Sequence, residues 1–204
     1  GKTIMGLPFT VACLERGENL LFLATEETPT DLMTQARGFG WDLKRYEKEG
    51  RLSIHRVLDM RIAEAKYDYS DKAYGHHEFS KLIDMVPPET KNLVIDNIGV
   101  YALGMDIRQF RVQMDLIAYE LSKRGITTLL VCDSAVGDRF HDVATYSVHG
   151  AIRLSKRNNT YTDNRERFLE VIKVRDYPVP IDYILFDISE HGIELLHAGG
   201  KKGE

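Results

Sequence analysis

The stretch Leu20-Leu21-Phe22-Leu23-Ala24-Thr25-Glu26-Glu27 decides the fold. Its first five residues are apolar without interruption, which is the pattern of a strand buried on both faces of a parallel sheet. Two adjacent carboxylates follow where that strand ends. Ligands of open α/β sheets bind beyond the carboxyl ends of the strands. The stretch therefore predicts a parallel sheet with a polar site at this edge.

Two further segments indicate what the site binds. The apolar run 93–95 ends in a single acid, Asp96. The chain begins with Gly1-Lys2-Thr3, the last three residues of the pattern G-x-x-x-x-G-K-[ST], whose lysine reaches the β/γ-phosphates and whose hydroxyl holds Mg²⁺. Together the segments predict an ATP site in which Gly1, Lys2, Thr3 and Asp96 bind the nucleotide, and Thr3 and Asp96 bind Mg²⁺.

Each of these segments also has a simpler interpretation. A Gly-Lys-Thr tripeptide can be an ordinary solvated terminus, and Asp96 can be an acid that caps a strand end. Glu26 and Glu27 can belong to an acidic helix start capped by Thr28 or Thr30.

Adjacent side chains that leave a strand point to opposite sides, so only one glutamate can face the phosphates directly. A carboxylate in that position can orient or deprotonate an attacking water.

Strand-like and helix-like segments alternate along the first two thirds of the chain. The patterns predict helices over 3–14, from 30 to the breaker at 38–40, and over 43–49, 76–85 and 110–121. They predict strands over 20–24, 52–57, 93–96 and 127–132, and a loop over 59–75. Pro8 is expected to bend or shorten the first helix.

The last third has a different pattern. It predicts strands over 150–154, 168–174, 181–186 and 193–196, with no helix between them. The fold class is therefore α/β, with a mostly parallel sheet in front and an antiparallel extension at the C-terminal end.

Composition limits the class of protein. The 204 residues are 43% hydrophobic, which suits one domain with a buried core. A net charge of -4 argues against a chain-wide basic surface for nucleic acid. No apolar stretch approaches the ~20 residues of a membrane span. We expect a cytoplasmic protein with reduced thiols at Cys13 and Cys132, truncated at its N-terminus because it lacks an initiating Met.

Four segments together carry a resemblance to a known family. They are Ala-Thr-Glu-Glu-Thr-Pro-Thr-Asp-Leu at 24–32, Ala-Arg-Gly-Phe-Gly-Trp-Asp-Leu at 36–43, the strand 93–96 in the Walker B place, and Gly-Ile-Glu-Leu at 192–195. The chain resembles the KaiC-like branch of the RecA-type P-loop ATPases over 1–196. Members of that branch carry Thr-Glu-Glu-Ser-Pro-Glu-Asp-Leu and Phe-Gly-Trp-Asp-Leu after their second strand.

The resemblance implies a RecA-like core that binds ATP with Mg²⁺ and assembles into a ring, usually a hexamer, with ATP between subunits. It assigns Glu26 and Glu27 to activation of the hydrolytic water. It also implies that Lys173 and Arg175, the family's Lys-x-Arg, reach the neighbouring subunit's γ-phosphate. Their spacing places both on one face of a strand, where they can equally be charges on a solvated edge.

Three departures from the family pattern stand out. The first strand and most of the P-loop are absent from this chain, so we expect it to bind nucleotide poorly. Asn97 follows Asp96 where the family often has serine. Asp133 and Ser134 stand where relatives place a polar or acidic sensor.

The favoured function is a ring-forming, regulatory ATPase whose protein client the sequence does not identify. One alternative is a recombinase relative that acts on DNA, which the acidic charge and the lack of a basic, aromatic-rich loop disfavour. Another is a nucleotide sensor that does not hydrolyse ATP. Glu26 and Glu27 argue against it, because a sensor needs no water-activating carboxylate.

Overall fold

Two four-stranded sheets and the helices around them form the part of the chain that the computed structural model describes, residues 2–57, 79–102, 105–158 and 164–196. The helices are α1 (Lys2–Glu15), α2 (Pro29–Gly38), α3 (Leu43–Lys48), α4 (Phe79–Asp84), α5 (Gly99–Ala102), α6 (Ile107–Lys123) and α7 (Asp138–Ser147), with a 3₁₀ turn at Ser134–Val136. The strands are β1 (Leu20–Ala24), β2 (Leu52–Arg56), β3 (Asn92–Asp96), β4 (Thr127–Val131), β5 (Gly150–Asn158), β6 (Arg165–Val174), β7 (Ile184–Ser189) and β8 (Gly192–Leu196).

The first sheet has the order β2-β1-β3-β4, and each pair is parallel. Its register places Ala24 beside both Arg56 and Asp96, and Asp96 beside Val131. The carboxyl ends of the four strands therefore lie in one row. The predicted parallel sheet is confirmed.

The core explains why β1 has no polar position. Leu21 and Leu23 enter a hydrophobic cluster that includes α6, whereas Leu20 and Phe22 enter a second cluster that includes α1 and α2. All five residues of β1 are buried. A strand covered on both faces gains from apolar side chains at every position.

The helix expected over 3–14 is confirmed, and Pro8 does not shorten it. α1 runs through Pro8 without interruption. Proline removes one backbone donor in the second turn, and the buried residues Leu7, Val11 and Leu14 keep the helix on the core. Packing of the apolar face therefore outweighs the missing hydrogen bond.

Thr28, rather than Thr30, caps α2. Its hydroxyl oxygen accepts the backbone N–H of Asp31 at 3.1 Å, and Pro29 occupies the first helical position. Both are favoured features of a helix start. The acidic helix start is thus real, although it does not by itself assign a role to the two glutamates before it.

The second sheet is antiparallel, in the order β5-β6-β7-β8, which confirms the predicted extension. α7 precedes it and was not predicted. Phe140, Val143 and Ala144 of α7 pack against the cluster that contains α6. The loop predicted over 59–75 and the first three residues of the helix predicted over 76–85 lie outside the described residues.

The segment Phe39-Gly40-Trp41, part of the family-like stretch 36–43, joins the two sheets. The Phe39 and Trp41 rings pack with centroids 5.2 Å apart, and the indole covers Gly192 at the β7–β8 turn. A Cβ added at Gly192 would lie 2.6 Å from an indole carbon, and Gly192 has φ +100°. Only glycine fits this position without strain.

Among the described residues, no helix has both the length and the apolar character needed to cross a membrane.

Candidate functional site

The ends of β1 and β3 are joined by hydrogen bonds at the site edge. The Thr25 N–H donates to the Asp96 carbonyl at 2.7 Å, and the Asn97 N–H donates to the Thr25 hydroxyl at 2.8 Å. These bonds extend the parallel pairing beyond the last strand residues. They fix where the chain leaves each strand, and therefore where the acids that follow can point.

The structure brings four predicted site residues together around Asp96, the fifth. Its pKa lies above the ordinary value for an aspartate, chiefly because of burial. A hydrogen bond from the Thr3 side chain and the charge of Lys2 oppose that rise in pKa, whereas the negative charges of Glu27 and Glu26 add to it. Residues from the start of α1 and from the ends of two strands thus share one electrostatic environment. Gly1, also predicted to bind nucleotide, lies outside the described residues.

Lys2 also contacts Asp133, the second residue after β4. Its Nζ lies 3.3 Å from Oδ2 of Asp133, and the two side chains are 40% and 37% exposed. The other carboxylate oxygen of Asp133 accepts the Ala135 N–H at 2.8 Å. The neighbouring Cys132 is a neutral thiol, because burial and the Asp133 charge raise its pKa to about 11.

The two glutamates after β1 have different environments. Glu27 is half-buried, and its Oε2 accepts a hydrogen bond from Gln35 Nε2 at 2.7 Å. Glu26 is exposed, and its backbone carbonyl accepts from Arg56 Nε at 3.1 Å. The charge of Glu27 has the larger effect on the pKa of Asp96. Glu27 therefore interacts more strongly with Asp96 than Glu26 does.

Asn97 is a structural residue of the site that sequence reasoning noted only as a departure from the family. Its Oδ1 accepts the Gly99 N–H at 2.7 Å and the Asp133 N–H at 3.2 Å. It therefore connects the ends of β3 and β4. A Cβ at Gly99 would lie 2.8 Å from this oxygen. The Asn-x-Gly spacing was the available signal, since asparagine side chains commonly accept backbone N–H groups two residues on.

The two predicted cations of the second sheet converge on a different group. Lys173 Nζ and Arg175 Nη2 both donate to the Tyr146 carbonyl, at 3.1 and 3.0 Å. The side chains thus share one face, as their spacing indicates. Burial, and then the charge of Arg175, lower the pKa of Lys173. The side-chain hydrogen bonds described for this pair go to α7 and not to the groups around Asp96.

The oxygen donors at Asp96 suit Mg²⁺ bound with a nucleotide. The Thr3 hydroxyl and the Asp96 carboxylate are hard oxygen ligands, and their interaction lowers the pKa of Asp96. In the described ranges, no group of three or more His, Cys, Asp or Glu side chains is arranged to hold a metal. Mg²⁺ commonly takes one or two protein ligands and completes its shell with water and substrate phosphates. The residues present fit that mode better than an all-protein cage.

Comparisons with known proteins identify the family to which the chain is similar. A family model described as "ATPase: KaiC" matches residues 1–200. The circadian clock protein KaiC3 of Synechocystis is 26% identical over 183 residues, which are 85% of this chain and 35% of that protein. The clock oscillator protein KaiC of Synechococcus elongatus is 24% identical over 99% of this chain and 39% of its own length. The chain thus spans well under half of these two relatives.

Shorter relatives match over more of their length. A UPF0273 protein of Pyrobaculum aerophilum is 28% identical over 96% of this chain and 71% of its own. A solved KaiC-like protein from Pyrococcus horikoshii superposes with a TM-score of 0.65 at 25% identity, covering 91% of this chain and 78% of that one.

Proposed function

The chain belongs to the KaiC family of ATPases, and from that premise we propose that it binds ATP with Mg²⁺ and hydrolyses it at the edge of the parallel sheet. The observation that carries the proposal is the convergence of Lys2, Thr3, Asp96, Glu26 and Glu27 on one electrostatic environment. Family membership makes this a KaiC-like nucleotide-binding domain. The individual roles below are proposals.

Lys2, Thr3 and Asp96 form the binding half of the proposed site. The Lys2 ammonium neutralises β/γ-phosphate charge, and the Thr3 hydroxyl and the Asp96 carboxylate hold Mg²⁺. When bound, Mg²⁺ supplies charge neutralisation at the phosphates. Lys2 is already held at this edge by Asp133, which places its ammonium where a phosphate can compete for it.

Glu26 and Glu27 form the hydrolytic half. A carboxylate next to the γ-phosphate orients a water and accepts its proton as the water attacks. The Gln35 hydrogen bond orients the Glu27 carboxylate, as such a role requires. The exposed Glu26 adds negative charge and a second acceptor at the same edge.

Lys173 and Arg175 complete the site of a neighbouring copy in this proposal. Their hydrogen bonds go to Tyr146 and leave the Asp96 environment of their own chain without their charge. A ring of copies, hexameric by resemblance, would place them at the next subunit's γ-phosphate. Residues 1–204 form a single domain of such a ring, and the ring acts on a protein client.

Steady-state phosphate release and calorimetry on the protein test the proposal. We expect Mg²⁺-dependent ATP hydrolysis that Glu26→Gln/Glu27→Gln abolishes, with ATP binding retained, because glutamine keeps the volume but cannot accept the proton. Glu47→Gln, an exposed acid on α3, is the matched control and should hydrolyse ATP as the wild type does. Turnover that survives in the double variant within a few-fold would reduce the two acids to a helix-start feature.

A further inference from the structure

The carboxyl end of α7 holds both cations of the proposed pair. The Tyr146 carbonyl, one residue before the helix ends, accepts from Lys173 Nζ at 3.1 Å and from Arg175 Nη2 at 3.0 Å. The last carbonyls of a helix have no partner inside it and lie at the negative end of its dipole. The carbonyl and the helix dipole therefore offset part of the repulsion between these two like charges.

The end of α7 is itself attached to α6. Ser147 Oγ donates to Asp115 Oδ1 at 2.6 Å. The Arg111 guanidinium lies 4.8 Å from the centroid of the Tyr146 ring, and its Nε lies 3.7 Å from Asp115 Oδ2. Two successive residues at the end of α7 are thus held by a pair of residues one turn apart on α6. We call Arg111, Asp115, Tyr146 and Ser147 the cation mount.

The strand that carries the cations needs such a support. Within the described residues, β6 pairs with β5 as far as Val174, but with β7 only over 167–169. Lys173 therefore has a neighbouring strand on one side only. The Arg175 N–H donates to the His149 carbonyl at 3.0 Å, which ties the backbone after β6 to the segment just after α7. Displacement of α7 would carry both cations with it.

Building on the proposed function, we propose that Arg111, Asp115 and Ser147, acting through the Tyr146 carbonyl, are positioning residues for Lys173 and Arg175. A guanidinium has five N–H donors and an ammonium has three. Each cation can keep its bond to Tyr146 and direct its remaining donors to a phosphate of the neighbouring subunit. The mount holds the pair in one arrangement before the phosphate arrives, so less conformational freedom is lost on reaching it.

Variants of the mount that leave both cations in place test this inference. In Ser147→Ala/Asp115→Asn we expect kcat for ATP to fall about 10-fold, because misplacement by about 1 Å can cost more than that. The KM for ATP, the oligomer size and the melting temperature should stay at wild-type values, since these exposed bonds contribute little to folding. The single variant Ser147→Thr keeps the hydroxyl, so it should retain most of the wild-type kcat.

Glu120→Gln is the matched control, an acid of the same helix that forms none of the bonds of the mount. A second measurement reports on the Lys173 side chain and does not depend on ATP hydrolysis. The ¹⁵N spectra of the Lys173 ammonium should show increased side-chain motion in the double variant and not in the control. A wild-type kcat, or an unchanged Lys173 signal, in the double variant would overturn the positioning role. If the wild-type protein hydrolyses no ATP, the proposed function fails, whereas the Lys173 spectra still decide whether the mount orders the cation.

Discussion

The ammonium of Lys2 lies 3.3 Å from the carboxylate of Asp133, so the first turn of α1 is paired with the segment that follows β4. In sequence these residues are far apart, and no spacing pattern links them. The pair holds a cation at the carboxyl edge of the sheet, next to Asp96. Because of this pair, we expect Lys2 to affect both the free energy of unfolding and the affinity for ATP·Mg²⁺, by separate amounts.

Lys2→Ala should weaken ATP·Mg²⁺ binding strongly, because the β/γ-phosphates lose their nearest counter-charge. The same change should lower the free energy of unfolding by about 1 kcal/mol or less, since the ion pair with Asp133 is partly exposed. Calorimetry and denaturant unfolding measure the two quantities. Lys44→Ala, at an exposed position of α3, controls for the loss of one positive charge. Unchanged nucleotide affinity in Lys2→Ala would contradict the phosphate role.

Asp96 should make stability and nucleotide binding respond to pH in opposite directions. Its folded-state pKa lies above the ordinary, unfolded value, mainly because of burial. Between those two values the folded chain holds more protons than the unfolded chain, so the free energy of unfolding falls as pH rises through this window. Mg²⁺ needs the deprotonated carboxylate, so affinity for ATP·Mg²⁺ should rise through the same window.

Asp96→Asn separates these two effects. We expect its free energy of unfolding at neutral pH to equal or exceed that of the wild type, because no buried carboxylate has to ionise. Its ATP·Mg²⁺ affinity should be lower and lack the Asp96 pH dependence. Unfolding curves and Mg²⁺-dependent binding, each recorded over the acidic range, provide the test. A variant that is less stable than the wild type at neutral pH would show that the carboxylate is net stabilising.

Mixed assemblies should reveal whether Lys173 and Arg175 act across a subunit boundary. Lys173→Ala/Arg175→Ala alone should abolish turnover and keep the fold. Mixed with Glu26→Gln/Glu27→Gln subunits, it should regain activity, because some interfaces then join intact glutamates to intact cations. A cation of this kind can contribute about 10³-fold or more in rate, so partial rescue is measurable. Co-assembly proven by differential labelling, with no activity recovered, would rule out a shared site.

Gly192→Ala should destabilise the fold through two separable costs. The positive φ of +100° costs a residue with a side chain about 1–3 kcal/mol, and the new Cβ overlaps the Trp41 ring. The second cost should vanish in a Trp41→Ala background. A double-mutant cycle by denaturant unfolding measures this overlap cost. Gly17→Ala controls for the backbone cost alone, because Gly17 has φ +81° and no atom lies within 4 Å of its added Cβ. Additive effects would show that the indole does not constrain Gly192.

The parallel sheet could be predicted because β1 is apolar at every position and ends in acids. Helix propensity and capping were weaker signals for α7, whose residues include Val143 and Thr145, both poor helix formers, and whose start lacks a side-chain cap. Its apolar residues Phe140, Val143 and Ala144 do have helical spacing, so a sequence signal existed. At Pro8 the local rule failed, because tertiary packing of α1 compensates for one lost backbone bond.

The contacts that assemble the site could not be predicted. Asn97 accepts from Asp133, and Lys173 donates to Tyr146, across intervals of 36 and 27 residues. Local spacing carries no information about such pairs, because they depend on how strands are ordered in the sheets. Motifs at the strand ends and the chain start supplied most of the candidate residues, and the resemblance added Lys173 and Arg175. The fold shows which of them share an environment.

Trp41 is the one tryptophan of the sequence, and its ring covers Gly192. The tryptophan fluorescence of this protein therefore comes from the contact between the two sheets. If the β7–β8 turn moves away during assembly or nucleotide turnover, the indole meets water and its emission shifts to longer wavelength. The contact that joins the sheets thus supplies an unlabelled optical signal for motion between them.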